Sequence, residues 1–320
     1  MTITLPIEHS TKQQPDCDSP FESPSPLDSL RERHCAVYYT LLWRRKQLLV
    51  QLTEEPKTPY LPPLEAEHWL TECLQRSPVR LVKLPATLTE VNLEVWANAC
   101  AKAGKSAFLQ VPNTKALPKK TSRVQWWLKR SIEWAIAALL LLVLSPFMLV
   151  LSWLIVKQSA GPILFNQWRV GERGKLFRIL KFRTMVAGAE QLHHQVMGNQ
   201  PGLHKCENDP RITSVGCWMR KYSLDELPQL INVLRGEMSL VGPRPWALYD
   251  AVRLSPEVRH RLNALPGITG IWQITRRSTL RDIDAVNRID LGYLGEWSFS
   301  QDLKILLLTI PKVISGFGAY

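Results

Sequence analysis

The sequence predicts an α+β protein: a mostly helical domain with a small β-hairpin and an apolar membrane helix, preceded by a small α/β domain. Three observations carry this. Residues 134–156 hold no Asp, Glu, Lys or Arg, and a run of that length covers a hydrocarbon core of ~30 Å. Beyond it, Ile163–Val170 and Leu176–Phe182 are β-prone runs flanking Gly171-Glu172-Arg173-Gly174-Lys175, a hairpin with a glycine-flanked turn. Ahead of it, Val79–Leu84, Thr89–Ala103 and Ser106–Val111 read as strand, helix and strand.

Taken in order, residues 1–34 are polar and rich in Ser-Pro pairs, as at Ser23-Pro24-Ser25-Pro26, and read as a disordered tail. Residues 35–113 form the small soluble α/β domain. In it Ala36–Leu42 and Gln47–Leu52 flank the basic Trp43-Arg44-Arg45-Lys46 as a second hairpin. No catalytic constellation falls there, and the segment reads as a docking or regulatory unit. Residues 114–128 are a basic, proline-containing linker, 129–160 the membrane helix, and 161–320 the larger domain. Within that domain Ser223–Gly236 reads as a helix with Ser223 as N-cap and Glu226 three residues on, a capping box, and Pro228 in its first turn. Ala247–Ala264 and Leu280–Leu291 also read as helical. Asp302–Phe317 has apolar residues at helical spacing with Lys304 and Lys312, suiting a membrane interface.

The chain of 320 residues carries a formal charge of +12, with 24 Lys/Arg against 15 Asp/Glu in residues 129–320. That excess suits nucleic acid, anionic lipid or phosphorylated substrates alike. A nucleic-acid recognition motif is missing, and a membrane segment beside the basic surface fits lipid better. Six scattered cysteines make no CxxC and no metal-ligand spacing. With no apolar leader in residues 1–34, reduced thiols facing a cytoplasm are the expectation.

Ser145-Pro146 interrupts the apolar run. The proline ring collides with the carbonyl of Leu142, and a hydroxyl such as that of Ser145 can occupy the freed oxygen. A kinked span and a hairpin that turns back both fit. Lys129 and Arg130 before the run and Lys157 after it favour the hairpin, because cationic flanks prefer the cytoplasmic side. Lys129 and Arg130 are candidate lipid head-group contacts, and Trp126, Trp127, Trp134 and Trp153 candidate interface anchors.

Four polar clusters follow the membrane helix. In Arg220-Lys221-Tyr222-Ser223-Leu224-Asp225-Glu226-Leu227-Pro228-Gln229, two adjacent carboxylates open a helix, where free N–H groups favour anions. A carboxylate that attacks phosphorus needs ionisation, a cation to screen the repulsion and a placed acceptor; Asp225, Arg220 and a Mg²⁺ joining the pair would supply these. Taken alone, a helix-capping role explains Asp225 and Glu226 better. Lys181-Phe182-Arg183 places two cations on one face if the strand continues. Pro243-Arg244-Pro245 holds an arginine in a stiff backbone, and Asn208-Asp209-Pro210-Arg211 is a tight polar turn. His193-His194 reads as a solvated pair, not a metal site.

With these clusters in view, residues 129–320 resemble the bacterial sugar transferase family, also called monotopic phosphoglycosyl transferases. The resemblance rests on ordered stretches: the basic pair and Ser145-Pro146, Phe165–Gly171, Lys181–Met185, Asp209–Thr213 with Gly216, Ser223–Leu230, Gly236–Pro245, Pro266–Gly270 and the terminal Gly318-Ala319-Tyr320. It implies a re-entrant helix–break–helix at the cytoplasmic face of the bacterial inner membrane, penetrating but not crossing it. It implies that Asp225 is the nucleophile and contacts Mg²⁺, that Glu226 is its acidic partner, and that Arg220 and Arg244 meet phosphate and nucleotide. Lys181, Arg183, Asp209, Arg211, Gln229, Pro243 and Pro245 complete the expected substrate-binding set. The implied reaction passes a hexose phosphate, glucose or galactose, from a UDP-sugar to undecaprenyl phosphate with release of UMP, at the start of surface-glycan synthesis. Other glycan-assembly enzymes are expected partners.

Two departures stand out. Arg276-Arg277 follows Trp272-Gln273-Ile274-Thr275 where the family commonly has Gly-Arg. Larger members carry four membrane helices ahead of the catalytic part, and residues 1–128 contain none. The rival from another class is a membrane adaptor with an inert transferase fold; intact Asp225, Glu226, Arg220 and Arg244 argue against it.

Overall fold

A computed structural model describes residues 4–5, 38–53, 66–112, 122–189, 209–275 and 282–316. His193, His194, Asn208, Arg276, Arg277 and Gly318–Tyr320 lie outside them. The chain divides into two compact units, Met1–Ala107 and Phe108–Tyr320.

The first unit is built on one sheet in the order β1 (Thr4–Leu5), β2 (Tyr38–Arg44), β3 (Gln47–Thr53), β4 (Leu81–Leu84) and β5 (Ser106–Leu109). β2 and β3 pair antiparallel around a two-residue turn, with Arg45 at φ 56°. β3 and β4 run parallel. Helix α1 (Ala66–Arg76), which the sequence reading passed over, precedes β4, and α2 (Glu90–Lys102) links β4 to β5. The Thr89 hydroxyl caps α2 by accepting from Asn92 N, satisfying one of its orphan donors. Leu48, Val50, Val82, Leu84, Leu93 and Trp96 form this unit's buried core.

The second unit opens with α3 (Arg123–Gln158), a single 36-residue helix with Pro146 inside it. The chain stays helical through Ser145-Pro146, with the proline inside the helix and no unwound residue at that point. Ser145 Oγ donates to Leu142 O at 2.9 Å, the oxygen that proline deprives of its amide partner. Leu142, Leu149 and Trp153 are 73%, 71% and 59% exposed. That apolar exposure on a helix long and apolar enough to cross a bilayer marks the chain as membrane-associated.

Both ends of α3 are held by the second unit. Near its start, Lys129, Arg130 and Glu133 are buried. Lys129 Nζ reaches Asp302 Oδ2 at 2.5 Å and Glu133 Oε1 at 2.9 Å, and Arg130 pairs with Glu133 at 2.7 Å while donating to Met238 O. This corrects the expectation of lipid head-group contacts. Once Glu133 and Asp302 are buried beside them, these cations lower their energy by pairing inward. Trp134 likewise donates to Val233 O, and Trp126 meets Trp297 edge-on; Trp127 and Trp153 stay exposed. At the far end Leu151 and Ile155 pack with Phe182 and Met219, and Arg183 caps the helix by donating to Ser159 O and Ala160 O.

Next come β6 (Leu164–Val170) and β7 (Leu176–Phe182), the expected hairpin, paired in full register. Its turn uses Arg173 and Gly174 at positive φ. Then follow α4 (Ser214–Lys221), α5 (Gln229–Leu234), β8 (Ser239–Val241), α6 (Leu248–Val252), β9 (Gly267–Thr269), α7 (Ile271–Thr275), α8 (Ile283–Gly295) and α9 (Phe299–Ser315). β8 and β9 form an unforeseen parallel pair. The helix expected over Ala247–Ala264 is instead α6 followed by a 3₁₀ turn at Arg259–Asn263. Phe177, Ile179, Leu230, Val233, Leu240 and Ile305 form the core that joins hairpin, α5, β8 and α9.

Candidate active site

The hairpin supplies the first bank of charge. Lys181 pairs with Phe165 and Arg169 with Phe177, so Lys181 and Arg169 project from one face of the sheet. The strand ends at Phe182, and Arg183 turns to the end of α3. The expected one-face pair Lys181/Arg183 is therefore not formed.

Helix α4 supplies the second bank. Gly216 lies against the segment after β7, where an added Cβ would come within 2.0 Å of Thr184 O. Only a glycine allows this approach, and it lets Arg220 Nε donate to Thr184 Oγ1 at 2.8 Å. The chain then reverses at Ser223, which is left-handed at φ 53° and makes no side-chain cap. The expected capping box is absent: an N-cap takes extended backbone, which Ser223 does not, and Glu226 N donates to Ser223 O at 3.2 Å instead. A 3₁₀ turn, Leu224–Glu226, replaces the first helical turn, and Pro228 precedes α5. Leu224 and Leu227 pack below against Phe182 and Met219. Asp225 and Glu226 stand above them, 9% and 8% exposed.

The loop after β8 brings Arg244. Gly242 and Gly267 approach backbone to backbone, so that a Cβ on Gly267 would lie 2.1 Å from Gly242 N. Gly267 N donates to Pro243 O and Gly242 N to Thr269 O. Buried Arg261, paired with Asp290 at 2.6 Å, donates to Arg244 O at 2.7 Å. Thus held, Arg244 reaches Glu226 Oε1 at 3.5 Å, opposite Lys181, which meets the same oxygen at 2.7 Å.

The structure so brings together Lys181, Arg220, Asp225, Glu226 and Arg244, with Gln229 buried at the start of α5 and Pro243 and Pro245 flanking Arg244. Asp209 and Arg211 are near enough to act on Arg220 electrostatically. They bond chiefly to one another, at 2.6 and 2.8 Å, and Arg211 holds the Asp209 carboxyl below its ordinary range. Burial works against the charge of Lys181 and Arg220; Glu226 offsets it at Lys181 and Asp225 at Arg220. The two carboxylates differ in company: Glu226 is ion-paired to Lys181 and Arg244, and Asp225 acts electrostatically on Arg220 and on Lys181.

Among the described residues, no three His, Cys, Asp or Glu side chains gather as a metal cage. With Glu226 ion-paired to two cations, the set fits Mg²⁺ as an ion held by one carboxylate and completed by phosphate oxygens, its usual mode with phosphorylated substrates. Arg169 and the Arg261–Asp290 brace escaped the sequence reading. A signal for Arg169 was present, since it lies at an even offset from the residue facing Lys181; nothing local marks Arg261.

The chain is 44% identical over 170 residues, 51% of its length and 37% of the relative's, to galactosyl transferase CpsE of Streptococcus agalactiae. It is 40% identical over 213 residues to undecaprenyl-phosphate galactose phosphotransferase of Salmonella typhimurium, covering 64% and 43% of the two chains. With exopolysaccharide production protein ExoY of Rhizobium meliloti it shares 36% identity over 233 residues, 68% of this chain and 100% of that one. The chain thus spans under half the length of the first two relatives. The family model described as bacterial sugar transferase matches residues 124–316, which takes in α3, both charge banks and the Arg244 loop, and the chain belongs to that family.

Proposed function

We propose that this protein transfers a hexose 1-phosphate, of glucose or galactose, from a UDP-sugar to undecaprenyl phosphate, through a phosphosugar carried on Asp225. The carrying observation is the different company of two adjacent buried carboxylates: Glu226 is ion-paired to Lys181 and Arg244, and Asp225 is the carboxylate that acts most on Arg220. In the first half-reaction an Asp225 carboxylate oxygen bonds to the β-phosphorus. The bond from that phosphorus to the bridging oxygen breaks, and UMP departs with the electron pair. Arg220 and Arg244 hold phosphate oxygens while charge builds on the leaving group. In the second half-reaction an oxygen of the lipid phosphate attacks the same phosphorus and frees the Asp225 carboxylate. Mg²⁺, held by Asp225 and phosphate oxygens, would screen the repulsion between anions.

The same reading places the protein monotopically on the cytoplasmic face of the bacterial inner membrane. A compact unit lies on one side of a bilayer, and both ends of α3 are bonded to one such unit, at Asp302 and at Arg183. An α3 that enters and returns, bending about Ser145-Pro146 in lipid, satisfies both attachments. Leu303, Leu307, Ile310 and Ile314 line one exposed face of α9, suited to the adjacent interface. The names of the relatives, among them UDP-glucose:undecaprenyl-phosphate glucose-1-phosphate transferase of Escherichia coli and the exopolysaccharide production protein ExoY, support donor, acceptor and a role in exopolysaccharide synthesis. The test is UMP release from a panel of UDP-sugars with undecaprenyl phosphate and Mg²⁺. One hexose should turn over, and Asp225→Asn should fall below about a tenth of wild type, since the amide lacks the anionic oxygen that attacks. An Asp225→Asn protein that keeps more removes Asp225 from the nucleophile role.

A further inference from the structure

Arg169 is a part-buried guanidinium that makes no ion pair among the described residues, with the carboxylates of Asp250 and Glu226 acting on it only from a distance. Its NH1 donates to Pro245 O at 3.3 Å and its NH2 to Gln167 Oε1 at 2.6 Å, both neutral acceptors. Its Nε is buried with no hydrogen-bond partner. Among the described residues no carboxylate comes within ion-pair distance of it, although Lys181, Arg211, Arg244 and Arg261 each have one. Taking a guanidinium out of water without an ion pair is costly. Arg183, likewise without an ion pair among the described residues, is used up capping the end of α3. Arg169 instead stands within a cluster of ionisable groups, where such a charge is a candidate anion seat. The neighbours say where that anion sits. Arg169 feels Tyr249, Arg244, Asp250 and Glu226, acts on Lys181 and shares a sheet face with it, so it belongs with Lys181 and Arg244 around Glu226. Its bond to Pro245 O ties it to the residue that follows Arg244.

We propose that Arg169 is a phosphate-binding residue, seating, together with Arg244, a phosphate other than the one bonded to Asp225. The inference rests on the transferase reading for its substrates. Two phosphates fit that description, the departing phosphate of the nucleotide and the phosphate of the lipid acceptor; the chemistry is the same, a phosphate dianion against a planar fork.

The test uses the full chain in lipid nanodiscs, as wild type, Arg169→Gln and Arg169→Lys, with three readouts. Inorganic pyrophosphate binding, followed by calorimetry, should weaken by about tenfold or more in Arg169→Gln, the loss expected for a hydrogen bond to a charged group. Arg169→Lys should recover part of it. The ligand-free melting temperature of Arg169→Gln should not fall, because a desolvated charge that makes no ion pair has been removed. The KM for UDP-sugar and that for undecaprenyl phosphate then separate the sources: a rise in the first alone assigns the nucleotide phosphate, and a rise in the second alone the lipid phosphate. Unchanged pyrophosphate binding in Arg169→Gln, or a wild type that binds no pyrophosphate, overturns the proposal. So does a lowered ligand-free melting temperature that Arg169→Lys restores while binding stays unmoved, which is the mark of a structural arginine. Pyrophosphate binding that depends on Arg169 in a protein that turns over no UDP-sugar would sink the transferase reading and leave this seat standing.

Discussion

At the scale of single residues, Glu226 and Lys181 make the sharpest pair to separate. Both are largely buried, with side chains 10% and 14% exposed. Glu226→Gln leaves Lys181 and Arg244 facing each other, and breaking a buried pair in this way costs about 3–5 kcal/mol. Adding Lys181→Met should recover most of that stability in a denaturant titration, while UMP release stays low in both variants because Arg244 has lost its orienting partner. Stability losses that simply add would show that the 2.7 Å contact contributes little. At this scale much was legible in the sequence: the adjacent carboxylates, Arg220 and Arg244 all converge. What failed was geometry that depends on partners distant in the chain. The fate of Lys129 and Arg130 is decided by Asp302 and Glu133, and that of Arg183 by the carbonyls at the end of α3. A cationic flank reads the same in sequence whether it points at lipid or at a buried carboxylate.

At the scale of elements, the contact between β8 and β9 sets where Arg244 stands. Gly267→Ala would drive a Cβ to 2.1 Å from Gly242 N. Overpacking of this kind costs about 1–3 kcal/mol and shifts backbone, so both the melting temperature and the rate of UMP release should drop. Gly292 in α8 is the control: a Cβ there meets nothing within 4 Å, and Gly292→Ala should be neutral or stabilise by up to about 1 kcal/mol, the helix-propensity gain. Equal behaviour of the two variants would contradict the role given to this contact. Hairpin β6–β7, the long helix and the strand–helix–strand of the first unit could be read from periodicity and turn chemistry. The short elements could not. β8, β9, α6 and the 3₁₀ turn at Asp225 span between three and five residues each, and tertiary packing overrides local propensity at that length. Ser223 shows how: a residue that favours N-caps takes a left-handed turn because the chain must reverse between α4 and α5.

At the scale of the whole molecule, the account requires both ends of α3 on one side of the membrane. Single cysteines at Lys120→Cys and Glu172→Cys, in a chain whose own cysteines are replaced, should react with an impermeant thiol reagent from the cytoplasmic side only. Replacing Ser145 and Pro146 by leucine should stiffen the bend and move part of the population to opposite-side labelling. Labelling of the two cysteines from opposite sides in the unaltered helix would contradict the re-entrant arrangement.

The central claim is that Asp225 carries the phosphosugar between two half-reactions. The most direct measurement is exchange of labelled UMP into the UDP-sugar substrate, with Mg²⁺ and no polyprenyl phosphate present. The account predicts exchange in wild type and none in Asp225→Asn, because UMP leaves before the lipid is needed and can return to attack the same phosphorus. Exchange that requires lipid would mean direct transfer in a ternary complex, and would contradict a covalent intermediate on Asp225.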